Sequence, residues 1–111
     1  MADSRRVGAV FESEVVAFLQ DRGLPVERSR GLEGARDVGD VLGLDRWVLD
    51  CKDHGVLKLA AWLRQVAKER SNASKPFGAA VVRKRGGSVA ESYVVLSLED
   101  FVRLEKYLGS F

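Results

Sequence analysis

Apolar positions along the chain switch between two periods, and the switches divide it into eight elements. Val7, Val10, Phe11, Val15, Phe18 and Leu19 recur at the spacing of one helix face, with Asp3 or Ser4 able to cap the start and Gly23 ending the helix just after Arg22. Pro25-Val26-Glu27-Arg28 reads as a short strand, and Ser29 to Gly39, with Gly31 and Gly34 inside it, as a loop. Alternation then predicts strands at about Asp40–Leu44 and Arg46–Lys52, broken by Asp53-His54-Gly55. From Leu57 to about Ser71 the helical period returns, with Leu59, Leu63, Val66 and Ala67 toward the core and Trp62, Gln65 and Glu69 on the adjoining flank. The unbroken apolar run Phe77-Gly78-Ala79-Ala80-Val81-Val82 is typical of a strand buried on both faces. A basic turn from Arg83 to Ser92 leads to a last strand, Tyr93–Leu96, and Ser97 can cap a final helix with Phe101, Leu104 and Leu108 inward.

The order α-β-β-β-α-β-β-α predicts an α/β sandwich. A three-stranded meander followed by a helix and a further strand makes a mixed sheet, parallel where the helix crosses over. At 111 residues the chain has the size of one domain, 1–111, which can close a core without disulfides or a structural metal. Its apolar runs are too short to span a bilayer, and Met-Ala-Asp-Ser-Arg-Arg lacks the apolar stretch of a secretion signal, so a cytoplasmic location with no membrane partner is expected. A single cysteine, Cys51, excludes an intrachain disulfide, a thiolate zinc site and a dithiol redox pair. Its place in the alternation makes it a small buried hydrophobe.

Candidate chemistry concentrates in the central hairpin. Folded about Asp45, the segment puts Asp40 across from Asp50, and alternation puts Lys52 on the same face as Asp50. Opposed residues have Cβ atoms about 4.5–5.5 Å apart, a separation at which two carboxylates repel unless something neutralises them. Hard oxygen ligands beside a lysine suit Mg²⁺ or Mn²⁺. A solvated salt bridge between Asp40 and Lys52 is the plainer alternative. On the first helix Glu12 and Glu14 both fall partly inward, which is unusual for glutamates. Asp37 and Asp45 are rival acids, in positions where aspartate commonly forms turns.

Glu12, Asp40 and the Asp50-Cys51-Lys52 triplet together resemble the signature of the PD-(D/E)xK nucleases: an early helical glutamate, an aspartate opening one hairpin strand, and Asp/Glu-x-Lys closing the next. Within that superfamily the chain is most similar to the small Holliday junction resolvases of archaea and their bacteriophage relatives. Gly8-Ala9-Val10-Phe11-Glu12-Ser13-Glu14 resembles their helix start, Gly23 and Arg28-Ser29 match a later glycine and an Arg-Ser pair, and Gly39-Asp40-Val41, Val48 to Lys52 and the helix with Trp62 and Gln65 look like the phage members. The likeness covers roughly residues 8 to 82. It departs at Gly39, where the family has proline, and at Asp50, where these resolvases more often have glutamate.

The resemblance implies a restriction-endonuclease-like αβββαβ core, a central mixed sheet flanked by helices. It also implies a metal-dependent, structure-selective DNA endonuclease, a Holliday junction resolvase that cuts four-way junctions to leave 5′ phosphates, acting in a bacterial host cell if phage-borne. Asp40 and Asp50 would bind Mg²⁺, with Mn²⁺ able to substitute, Glu12 would complete the acidic set, Lys52 would orient the attacking water, and Gln65 would face the site from the helix that follows. Candidate DNA contacts are Arg5, Arg6, Arg28, Ser29, Arg30, Arg36, His54, Arg83, Lys84 and Arg85, whose cations cluster at termini and loops although the net charge is only +2. A homodimer follows by analogy and matches the symmetry of a four-way junction, with Tyr107 to Phe111 as a candidate face. Another nuclease of the same superfamily, acting on flaps, mismatches or duplex, and a non-catalytic DNA-binding module are the alternatives.

Overall fold

In this computed structural model, which describes residues 4–29 and 37–110, the apolar run at 77–82 is a strand in which every residue is buried. The elements follow in the expected order: α1 (Ser4–Asp21), β1 (Glu27–Arg28), β2 (Val41–Leu42), β3 (Trp47–Lys52), α2 (Leu59–Ala73), β4 (Phe77–Val82), β5 (Tyr93–Val95) and α3 (Leu98–Leu108), with one 3₁₀ turn at Val89–Glu91. One mixed sheet runs β1-β2-β3-β4-β5. β1, β2 and β3 form the antiparallel meander, β3 and β4 are parallel with Trp47 opposite Phe77 and Lys52 opposite Val82, and β5 returns antiparallel to β4. Among the described residues the fold is α/β, a five-stranded mixed sheet flanked by three helices. Among the described residues no helix is long and apolar enough to cross a membrane.

Alternation along β3 and β4 divides two cores. Leu49, Cys51, Ala79 and Val81 pack on one face with Phe11, Val15 and Val16 of α1, while Ala80 and Val82 pack on the other with Trp62 and Val66 of α2. Burying a side chain such as Phe11 contributes roughly 1.5–3 kcal/mol. Cys51 is a buried member of the α1 core, as its place in the alternation predicts.

Two helices sit in a different phase from the one their apolar positions predict. α2 buries Trp62, Val66 and Glu69, while Leu59 and Ala67 are exposed and Leu63 is half-buried. The contact with the sheet decides this: a Cβ on Gly78 would stand 2.6 Å from Val66 Cγ1, so Val66 fills the space that glycine leaves and turns the helix accordingly. α3 buries nothing fully. Tyr107 and Leu104 are half-buried toward the body, whereas Phe101 and Leu108, expected inside, are exposed together with Leu98 and Val102. Tyr107 fixes that phase by an edge-on contact with the Phe77 ring, 5.5 Å between centroids, and by accepting a hydrogen bond from Arg46 Nε. Ser97 caps α3 as expected, its hydroxyl accepting from the Asp100 amide at 3.1 Å.

Candidate active site

The register of β2 against β3 places Val41 opposite Leu49, and Asp40, the residue before that pair, carries its carboxyl against that of Asp50. The Asp40 amide donates to the Leu49 carbonyl at 2.9 Å, and its carboxyl Oδ2 accepts from the Cys51 amide at 2.7 Å, so backbone of the opposing strand holds this side chain. Gly39 makes the approach possible. Its φ is +94°, and a Cβ there would come within 2.7 Å of Val48 Cγ1 and 2.9 Å of the Leu49 carbonyl. Proline, locked near −65°, cannot take this conformation. Asp37 acts as a turn residue, its Oδ1 accepting from the Gly39 amide at 3.0 Å, and Asp45 is exposed in the β2–β3 turn.

Asp50 and Lys52 share the face of the sheet that α2 covers. Lys52 Nζ stands 3.3 Å from Asp50 Oδ2 and donates to Gln65 Oε1 at 2.8 Å. Gln65 Nε2 in turn donates to Glu69 Oε2 at 3.3 Å. Asp50 is 3% exposed and Glu69 2%. Asp50 Oδ2 and Glu69 Oε1 are both buried without a hydrogen-bond partner. From α1, Glu12 reaches the Asp40 side of the group, where its Oε2 is paired with Arg28 Nη2 at 2.9 Å.

Crowding of acids in little water disfavours their charged forms. Burial, and then the neighbouring Asp50 carboxyl, push Asp40 up to about 7 against the pull of the Cys51 amide. Burial and the charges of Asp50 and Asp37 push Glu69 up to about 9. Glu12 is raised by burial and by Asp40, with Arg28 opposing. Burial raises the Cys51 thiol well above its ordinary range, which makes it a poor nucleophile.

The structure thus brings together Glu12 of α1, Asp40, Asp50 and Lys52 of the β2–β3 hairpin, and Gln65 of α2. It adds Glu69, which the helical period leaves on the flank adjoining the core stripe without a role; the signal was its spacing four residues after Gln65, one helical turn along the same side. Glu14 does not join them but pairs with Arg83 Nη1 at 3.4 Å. Several candidate DNA contacts are tied to acids: Arg28 to Glu12, Arg83 to Glu14 and to Asp53 at 3.6 Å, and Lys84 to Glu91 at 3.3 Å. Ser29 is buried, its amide donating to the Asp40 carbonyl at 2.9 Å. His54 is exposed and lies 5.3 Å from the Trp62 ring, and Arg85 is exposed beside Gly55. Arg30, Arg36 and Phe111 lie outside the described residues, as do the side chains of Arg5 and Arg6.

Such a group can bind a cation through hard oxygens and hold an ammonium at a fixed point beside it. Among the described residues no three His, Cys, Asp or Glu side chains converge closely enough to enclose a metal by themselves. An Mg²⁺ site does not require that, since one or two carboxylates with waters and substrate phosphate commonly suffice. Comparison with family models, with curated proteins and with solved structures finds no match to this chain.

Proposed function

We propose that the chain is a metal-dependent, structure-selective DNA endonuclease of the PD-(D/E)xK type with a restriction-endonuclease-like core, and that its substrate is a four-way junction. The observation that carries this reading is the meeting of the Asp40 and Asp50 carboxyls, with Lys52 Nζ 3.3 Å from Asp50 Oδ2. Two buried carboxylates this close are unfavourable as bare anions. Asp50 Oδ2, which pairs with the Lys52 ammonium but accepts no hydrogen bond, and the raised pKa of Asp40 support a place that gains from a divalent cation.

Asp40 and Asp50 would hold Mg²⁺ or Mn²⁺, with Glu12 reaching it directly or through water. Bound there, the ion supplies water activation and charge neutralisation at the scissile phosphate. Lys52 Nζ, held by Gln65, donates to the attacking water or to a phosphate oxygen and offsets charge that develops in the transition state. Arg28 sits at the same mouth of the site and can exchange Glu12 for a backbone phosphate. The second copy that a two-fold junction calls for would dock on the outward side of α3, where Leu98, Phe101, Val102 and Leu108 are exposed beside edge strand β5 with its exposed Tyr93 and Val94. Tyr107 faces the body of the protein instead.

The test is incubation with a labelled four-way junction and a matching linear duplex, in Mg²⁺ or in EDTA. Paired incisions of the junction in Mg²⁺, abolished by EDTA and by Asp50→Asn, are expected. Equal cutting of duplex points to another nuclease of this superfamily, and no cutting of either DNA in Mg²⁺ or Mn²⁺ removes the enzymatic reading.

A further inference from the structure

Glu69 is among the largest fully buried side chains of the described residues, and it is a carboxyl in the middle of a helix whose other buried residues are Trp62 and Val66. A leucine there would avoid the cost of desolvating an acid. What the acid contributes is polarity at one end of a short chain: Glu69 Oε2 accepts from Gln65 Nε2 at 3.3 Å, and Gln65 Oε1 accepts from Lys52 Nζ at 2.8 Å.

We infer that Glu69 is a positioning residue that fixes the orientation of the Gln65 amide and, through it, the place of Lys52 Nζ. A glutamine amide has a donor end and an acceptor end of nearly equal shape. With a carboxyl oxygen on one side and an ammonium on the other, only one orientation satisfies both neighbours. Turned over, the NH₂ would face the ammonium, and the carbonyl oxygen would face Glu69 Oε2. Lys52 carries a long flexible stem, and Asp50 alone would leave its head free to swing about one contact. Gln65 supplies the second contact, and Glu69 keeps the correct end of Gln65 toward it. Because i and i+4 are neighbours on a helix, α2 builds the Gln65–Glu69 half of the relay within one turn.

The catalytic significance of this relay rests on the nuclease reading proposed above, whereas its geometry does not, and the test separates the two. In the full chain, Glu69→Leu removes the acceptor and Glu69→Gln keeps one. Proton–nitrogen NMR of the Lys52 ammonium and the Gln65 side-chain amide, without DNA or metal, reads the relay directly. Slowly exchanging signals for both groups are expected in the wild type. In Glu69→Leu the ammonium signal should be lost to exchange and the amide signal should move to the solvent-exposed position, with Glu69→Gln restoring both. Junction cleavage in Mg²⁺ should show kcat about tenfold lower in Glu69→Leu with KM nearly unchanged, and most of the loss recovered in Glu69→Gln. If Glu69→Leu does not fold, Gln65→Ala, at an exposed position, breaks the same relay and should free the ammonium in the same way. A folded Glu69→Leu, or Gln65→Ala in its place, with the Lys52 ammonium signal unchanged overturns the inference. A relay that behaves as expected in a wild type that cuts no DNA supports the geometry and rejects the nuclease reading alone.

Discussion

Arg28 closes on Glu12 with two nitrogens, Nη2 at 2.9 Å and Nε at 3.0 Å, both on the same carboxylate oxygen. The arginine expected to meet phosphate thus neutralises the acid expected to meet metal. With the Arg28 side chain 43% exposed, the pair contributes no more than about 1 kcal/mol and can open when a better partner arrives. Arg28→Ala should therefore leave stability within about 1 kcal/mol while weakening DNA binding. In a salt series with a labelled junction and Ca²⁺, the slope of log K against log salt should fall by about 1. An unchanged slope would mean that Arg28 stays on Glu12 in the complex.

Asp40→Asn separates activity from stability. Asparagine keeps an oxygen for the Cys51 amide and removes the charge beside Asp50, so the fold loses a repulsion and the site loses a ligand. Metal-dependent cleavage should drop more than about a hundredfold. The melting temperature of the metal-free protein at pH 8 should rise by about 4 °C for each kcal/mol of strain relieved. Calorimetry of the two proteins in EDTA checks the second arm, and a lower melting temperature for the variant would show that Asp40 is stabilising as the anion.

Metal-free stability should fall with rising pH. A carboxyl whose pKa is raised on folding binds its proton more tightly in the native state, so its stabilisation is complete below the unfolded pKa, about 3.9 for Asp and 4.3 for Glu, and is lost as pH climbs to the folded value. Those folded values are about 7 for Asp40 and about 9 for Glu69. Urea unfolding in EDTA should show decline from about pH 4 to 9, Glu69→Gln should remove the part above pH 7, and saturating Mg²⁺ should flatten the curve. Stability that increases through pH 5 to 8 in EDTA would contradict the crowding of these acids.

The hairpin was readable from sequence because strand alternation is rigid: once Asp45 is a turn, Asp40, Asp50 and Lys52 can face only one way relative to each other. Helix phase was less readable. Counting apolar residues in α2 gives the stripe Leu59–Leu63–Val66–Ala67, yet the docking of Val66 over Gly78 sets the rotation, and that contact joins two elements. The same rotation sinks Glu69, whose residue type argues for solvent. In α3 the phase follows Tyr107 against Phe77, a pairing across 30 residues that no local pattern contains. Gln65 was expected at the site by resemblance, but its bond to Lys52 joins β3 to α2 and no local pattern contains it.

Leu98 is 78% and Phe101 53% exposed on the outward side of α3, and the helix stands off the body across a groove of about 550 Å³ lined by Leu63, Ala67, Gly78 and Asp100. A helix that buries no residue fully yet keeps an apolar outer stripe is where the second copy proposed above would dock, because contiguous exposed apolar patches mark interaction sites. Replacing Leu98 and Phe101 together by serine should convert a dimer to a monomer in light scattering. Both side chains already meet water in the monomer, so unfolding of the isolated chain should change by less than about 0.5 kcal/mol each. On a junction the monomeric variant should nick one strand where the dimer cuts two in concert. Tyr107→Phe, which loses the Arg46 hydrogen bond on the inward side, should cost about 1 kcal/mol and leave assembly untouched. A wild type that stays monomeric both free and on the junction would rule out a second copy as the occupant of this face.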